Sequence, residues 1–318
     1  MKIIRNIEDI KGNFRNPCVT VGNFDGVHLG HQQLFNAVRQ RAQHNEGASI
    51  AITFDPHPLQ VLKPGGIKLI STIEQKTELI ELSGIDALII IPFNHHFAKT
   101  SAETFVDEIL RQRLGVTDLF VGYDYAFGKG RTGNIDFLRQ QGRNKGFGVT
   151  VIEAHYKNGI IVSSTKIRQL VAEGRMVETA ELLGRYYQIR GEVQRGRQRG
   201  GPEIGYPTAN LHVSEEDLVP RRGVYVCQVV CDEVIYGGVI NIGYNPTFGE
   251  KKLVAETHIF DFERNIYGKP IKVNFIKYLR GEEKFTGTRQ LTEQIAKDVI
   301  SARDVLAVTA QRGQHLLW

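Results

Sequence analysis

His28 and His31 flank Gly30 in the run Val19-Thr20-Val21-Gly22-Asn23-Phe24-Asp25-Gly26-Val27-His28-Leu29-Gly30-His31. Imidazole N–H groups donate well to oxyanions, so two of them on one turn suit a charged oxygen ligand. A bare pair of histidines three apart is as readily structural, and the setting is what points to chemistry. Val19, Thr20 and Val21 read as a strand, and Gly22, Gly26 and Gly30 allow a sharp turn and a close backbone approach. Leu34, Phe35, Val38 and Ala42 then recur at helical spacing over Gln32–Gln43. A helix N-terminus offers N–H groups and the positive end of a dipole, so phosphate is the natural guest. The pattern reads as a polyphosphate site at a strand-to-helix turn.

A second hydroxyl-rich start lies at Val162-Ser163-Ser164-Thr165-Lys166-Ile167-Arg168. Ser163 or Ser164 can cap a helix there, which accounts for the hydroxyls alone. Capping does not require Arg168 one turn further on, and hydroxyls with an arginine at a helix start form another phosphate-binding arrangement. Between the two runs, Phe54-Asp55-Pro56-His57-Pro58 stiffens a strand exit with two prolines and fixes where His57 points. Read alone it is equally a rigid turn. Gly128, Gly130 and Gly133 match the spacing of a dinucleotide fingerprint, but they come too late in the alternation of strands and helices to be one.

Gly205-Tyr206-Pro207-Thr208-Ala209-Asn210 is a different kind of site. Thr208 and Asn210 fall on one side of an extended chain and present a hydroxyl and a carbonyl, hard donors suited to Mg²⁺. In isolation the run is also a plain turn. Glu256, on an alternating strand, is by residue type alone an ordinary surface carboxylate.

The elements that must position these residues fall into two classes. Strands are expected at Cys18–Val21, Ser49–Phe54, Ala87–Ile91, Leu119–Gly122 and Val149–Glu153. Helices are expected near His31–Gln43, Ile73–Leu82, Ala102–Arg113 and Ile135–Lys145. That alternation predicts a doubly wound α/β parallel sheet, whose ligands sit beyond the carboxyl ends of the strands. A helical stretch over Val177–Leu183 is expected to stop at Gly184-Arg185, and beyond it the period changes. Tyr187–Val193, Gly223–Val230, Val234–Ile242, Leu253–Phe260 and Ile271–Leu279 read as strands without helices between them, followed by an amphipathic helix over Leu291–Leu306. The second part is therefore an antiparallel β-barrel or sandwich with a terminal helix. The boundary near Gly184 gives domains 1–184 and 185–318.

Taken together, GNFDGVHLGH resembles the H-x-G-H signature of the nucleotidyltransferases, in the flavin branch found in bacterial bifunctional riboflavin kinase/FAD synthetases. The resemblance extends over nearly the whole chain in motif order. For the first domain it implies that His28 and His31 are catalytic with Arg168, that Gly22, Phe24, Asp25, Gly30, Ser163, Ser164 and Thr165 bind ATP phosphates, and that Asp124 contacts nucleotide. Pro56, His57 and Pro58 would line the substrate side. In the barrel, Gly205, Tyr206, Pro207, Thr208 and Asn210 resemble the kinase nucleotide signature, with Thr208 and Asn210 holding Mg²⁺. Glu256 takes the place of the general base and Arg280 that of a flavin-side cation, and Asn241–Phe248 matches a further strand exit. One departure is Pro202, where the family's ATP-covering loop has a basic residue; Arg197 and Arg199 stand nearby. The implied function is phosphorylation of riboflavin to FMN by ATP, then adenylylation of FMN to FAD with loss of pyrophosphate. Two alternatives stand beside it: an FAD synthetase with an impaired kinase, prompted by Pro202, and a non-catalytic flavin- or RNA-binding regulator, prompted by the basic charge.

Bulk properties fit the first reading. The chain has 318 residues, 41% hydrophobic and 24% charged, which suits two globular domains. The net charge of +5 and a pI near 9.0 suit anionic small molecules. Charged residues through Met1–Phe14 exclude a secretory signal, and the longest apolar run, Ile85–Phe93, is too short for a membrane span. A cytoplasmic protein with riboflavin, FMN and ATP as partners, and neither membrane nor nucleic acid, is expected. Cys18, Cys227 and Cys231 contain no C-x-x-C pair, and the latter two are expected in a strand core.

Overall fold

The structure, a computed structural model, describes residues 1–10, 14–194, 205–214, 216–247 and 250–311. In the first half, apolar runs too short to be helices become strands: β1 (Lys2–Ile4), β2 (Cys18–Val21), β3 (Ser49–Asp55), β4 (Ala87–Pro92), β5 (Asp118–Gly122) and β6 (Gly148–Ile152). All pair in parallel, in the order β1-β4-β3-β2-β5-β6. The connecting segments form α1 (Leu29–His44), α2 (Pro58–Leu62), α3 (Ile73–Leu82), α4 (Ala102–Thr104) and α5 (Ile135–Lys145). α4 runs into a π-helical stretch, Phe105–Arg113, so the expected helix over 102–113 forms with a wider winding.

Alternation along each strand feeds two apolar layers. Val19, Val21, Ile50, Ile52, Ile89 and Ile91 pack with Phe105, Ile109, Leu110 and Leu138 on one face. Ala51, Leu88, Ile90 and Phe120 pack with Leu34, Phe35, Val38, Leu79 and Ile80 of α1 and α3 on the other. The chain winds from β2 toward β3 and β4 on one side, and β5 and β6 lie on the other. The topological switch point is therefore between β2 and β5, and in open sheets of this kind ligands are taken beyond the carboxyl ends of the strands there.

A small hairpin, β7 (Tyr156–Lys157) and β8 (Ile160–Ile161), is followed by α6 (Ser164–Glu173) and α7 (Met176–Leu183). Gly184, in the left-handed region at φ 73°, ends α7 as its position after the last apolar residue predicts. Contacts divide the chain into compact units 1–164 and 165–318, so α6 and α7 group with the second.

That unit is built on β9 (Tyr187–Gln194), β10 (Ala209–Leu211), β11 (Gly223–Cys231), β12 (Val234–Thr247), β13 (Glu250–Ile259) and β14 (Pro270–Arg280), with α8 (Thr288–Gln311) after them. The strands close into an antiparallel barrel in the order β10-β13-β12-β11-β14-β9. Tyr225, Cys227 and Val229 are wholly buried along β11, and Tyr225 meets Phe275 of β14 at 5.2 Å between ring centroids. Val224 and Val226, on the alternate side, cluster with Val239, Phe260, Ile276 and Ala302 of α8. Cys227 and Cys231 are buried in β11 as expected, and burial pushes both thiols up from their ordinary range. Among the described residues, no helix is long and apolar enough to cross a membrane.

Phe275 also touches Tyr187, with centroids 5.9 Å apart, so it joins three strands of the barrel. Phe275→Ala should cost about 3–5 kcal/mol, the usual loss for emptying a buried aromatic site. Urea unfolding of the barrel, followed by tyrosine fluorescence, should show the lower midpoint.

Candidate functional sites

The turn after β2 is held by a buried carboxylate. Asp25 is 2% exposed and accepts the backbone N–H groups of Ile70 at 3.1 Å and Ser71 at 3.2 Å. Gly26 N donates to Ser71 Oγ at 3.0 Å, and Ser164 Oγ donates to the Asp25 carbonyl at 3.0 Å. Phe24 and Val27 lie at φ 49° and 38°, conformations that cost energy for residues with side chains and persist only where packing enforces them. Both side chains are almost fully buried.

His28 occupies the N-cap position of α1 without a side-chain capping bond. Its ring stacks on that of His31, centroids 3.6 Å apart and planes 16° from parallel, and Phe24 meets His31 edge-on at 5.3 Å. Gly30 is where His28 needs room: a Cβ there would lie 3.3 Å from the imidazole. Both histidines thus sit at the start of a 16-residue helix, directly beyond the carboxyl end of β2. Thr165 and Arg168 follow Ser164 on α6, in the second compact unit, and Ser163 immediately precedes that helix.

Other expected residues have evident structural work. His57 caps α2, its Nδ1 accepting from Leu59 N at 3.1 Å, while Gln60 Oε1 accepts from His57 N. Pro56 is exposed and Pro58 opens α2. Asp124 is exposed on the loop after β5. In the glycine run on that loop, a Cβ at Gly133 would strike the ring of Phe127, whose backbone bonds Gly133 in both directions. Gly128, packed on Ala102, and Gly133 thus serve a packed turn, which is the physical reason the spacing does not make a fingerprint.

Two features escape a reading by motif. Lys76 on α3 is 5% exposed, and burial pushes its ammonium below the ordinary lysine range while the charges of Asp25 and Asp55 pull it back. An aromatic ribbon also runs past the strand exits, from Phe54 to Phe93 and Phe97, then Phe105, Phe127 and Tyr125. The signal for the ribbon was an aromatic at each exit, visible only once the strand order is known.

In the barrel the decisive geometry is register. Asn210 of β10 pairs with Glu256 of β13, Glu256 pairs with Asn241 of β12, Asn241 with Val224 of β11, and Val224 with Arg280 of β14. Directly opposed residues share a face, so Asn210, Glu256 and Asn241 stand side by side. Thr208, just before β10, is exposed. The Glu282 carboxylate packs on Gly243, beside the Asn241 amide. Arg280 is committed to Asp298 of α8, Nε donating at 3.0 Å to Oδ1 and Nη2 at 2.7 Å to Oδ2. The run Gly196–Ile204, with Arg197, Arg199 and Pro202, lies outside the described residues, as does Phe248.

Residues 11–166 match the family model of FAD synthetase, and residues 183–306 match that of riboflavin kinase. The chain belongs to the bifunctional riboflavin kinase/FMN adenylyltransferase family. A protein of that name from Buchnera aphidicola subsp. Schizaphis graminum is 36% identical, over 94% of this chain and 97% of its own length. The Escherichia coli K12 protein of the same name is 32% identical, over 97% and 99%. A solved structure described as a macrolide-efflux protein from Streptococcus pneumoniae superposes with a TM-score of 0.86 at 29% identity, covering 95% of this chain and 98% of that one. Like its bifunctional relatives, the chain is an enzyme with two transferase activities, and neither the impaired-kinase reading nor the non-catalytic one is favoured.

Burial holds the Glu256 carboxyl above its ordinary value of 4.5. The fold therefore favours the protonated acid; that contribution is complete below pH 4.5 and is lost as pH rises through the folded value. Glu256→Gln, neutral throughout, should unfold at a higher temperature than wild type at pH 8, with the gap closing toward pH 4 in thermal melts.

Proposed function

We propose that the two sets of residues divide the two transfers between them. In the first unit, the FMN phosphate attacks the α-phosphorus of ATP and pyrophosphate leaves, so no protein nucleophile is needed. His28 and His31 donate to oxygens on which charge builds, and the N-terminus of α1 adds its dipole. Ser163 and Ser164 add hydroxyls to that unit, and Gly22, Phe24, Asp25 and Gly30 shape the turn that receives the triphosphate; Thr165 and Arg168 keep the phosphate-binding roles that the resemblance implies for them. The stacked imidazoles at the sheet's switch point are the observation that supports this reading most. Asp124 offers a nucleotide contact, and Pro56, His57 and Pro58 shape the flavin side. The aromatic ribbon past β3 and β5 suits the planar isoalloxazine ring.

In the barrel, the ribityl 5′-hydroxyl of riboflavin attacks the γ-phosphorus of a separate ATP, the bond to the β-phosphate oxygen breaks and ADP leaves, and Glu256 accepts the hydroxyl proton. Phosphoryl transfer asks mainly for positioning and charge neutralisation, so a small polar set suffices. Among the described residues no three His, Cys, Asp or Glu cluster as metal ligands. That suits Mg²⁺, which takes few protein oxygens and completes its shell with phosphates and water. Thr208 and Asn210 supply such oxygens, and Gly205, Tyr206 and Pro207 place them; the ion would neutralise charge on the transferred phosphate. Arg280, steadied by Asp298, belongs to the flavin side. Cytoplasmic location, the absence of a nucleic-acid partner and a domain boundary near Gly184 complete the proposal.

His31→Ala should lower FAD formation from FMN by about 10²–10³-fold, the cost of one oxyanion donor, and leave riboflavin phosphorylation intact. Asn210→Ala should do the reverse. Chromatographic assay of both products separates the cases, and undiminished FAD in the first variant removes the role of His31.

If Glu256 must be ionised to accept a proton, its raised pKa places the acid limb of kcat/KM for riboflavin above pH 4.5. A pH profile of phosphorylation tests this, with a limb below 4.5 counting against the base.

A further inference from the structure

Gly205–Thr208 precede β10 and belong to no strand, yet Thr208 must hold one place if it is to act on phosphate. Among the described residues, the hydrogen bond that ties this run to the barrel wall is between His258 Nδ1 and the Pro207 carbonyl, at 2.9 Å. A carbonyl only accepts, so Nδ1 carries the proton. His258 lies on β13, two residues beyond Glu256 and on the same face of the strand. Two aromatic rings flank its own: Tyr206 meets it edge-on at 5.2 Å, and Phe260 lies tilted against it at 5.7 Å. Phe260 in turn carries the Arg303 guanidinium of α8 at 4.7 Å, and Arg303 pairs with Asp261 at 2.8 Å.

We propose that His258 is a positioning residue of the kinase site. Its Nδ1–H fixes the plane of the Pro207–Thr208 peptide, and through it the distance from the Thr208 and Asn210 oxygens to Glu256 on the neighbouring strand. The inference rests on the reading of Thr208 and Asn210 given above. Small displacements of such groups are costly, because the chemistry depends on orientation more than on added charge.

The test uses the full-length enzyme with His258 replaced by Leu, Gln or Asn. An asparagine amide nitrogen lies where Nδ1 lies, whereas the glutamine nitrogen reaches toward the place of Nε2. His258→Leu and His258→Gln should lower kcat for riboflavin phosphorylation by about ten- to a hundredfold, with KM for riboflavin within about twofold. His258→Asn should recover most of the rate. FMN adenylylation should be unchanged in all three, which reports that the chain is folded. Wild-type phosphorylation by His258→Gln, or His258→Asn as slow as His258→Leu, overturns the proposal. Should the leucine variant fail to fold, the contrast between Asn and Gln still decides. Asn210→Ala run in parallel separates the two levels: if it keeps phosphorylation, the assigned site is wrong, and if it is silent while His258→Gln is normal, only the positioning role falls.

Discussion

A carboxylate kept out of water must be paid back in hydrogen bonds, and Asp25 shows what that demand builds. Its oxygens take the N–H groups of Ile70 and Ser71 from a segment 45 residues away, in a setting dry enough to make each bond strong. With the loop clamped there, Phe24 and Val27 can be held in conformations they would not choose, and the two imidazoles come to rest one on the other. Lys76, buried nearby, supplies the opposite charge. The stacked histidines thus inherit their geometry from an acid that the rest of the fold encloses.

The barrel reaches a similar end by other means. No buried ion holds Asn210, Glu256 and Asn241 together among the described contacts; strand register does. A slip of one residue in β13 would turn Glu256 inward and bring Ala255 or Thr257 into the row. That register is secured by the wholly buried Ala255 and Thr257 on the other face of the same strand. One candidate site therefore leans on a polar clamp and the other on strand alternation, within a single chain.

Much of this could be read from residue order. The periodicities placed β2 and α3 at their observed bounds, and Gly184 marked the end of α7. β1 was missed because three residues beginning with a lysine carry too little alternation, and only its pairing with β4 defines it. β10 was missed for the same reason, being three residues long and closed by partners distant in sequence. The motifs picked out candidate residues but not their neighbours. Nothing in Phe54-Asp55-Pro56-His57-Pro58 says that the imidazole caps a helix, and nothing in Arg280 says that Asp298 holds it. Such partnerships are settled by tertiary approach, which spacing along the chain does not record.

The modest strand β1 has a role out of proportion to its length. It pairs with Ala87, Leu88 and Ile89 and so occupies the outer edge of β4, a strand whose interior is almost wholly aliphatic. Without those three residues the sheet would end in a bare, sticky ribbon of amides and isoleucines, inviting other molecules to add strands of their own. Trimming the first few residues is thus less a cosmetic change than an opening for aggregation.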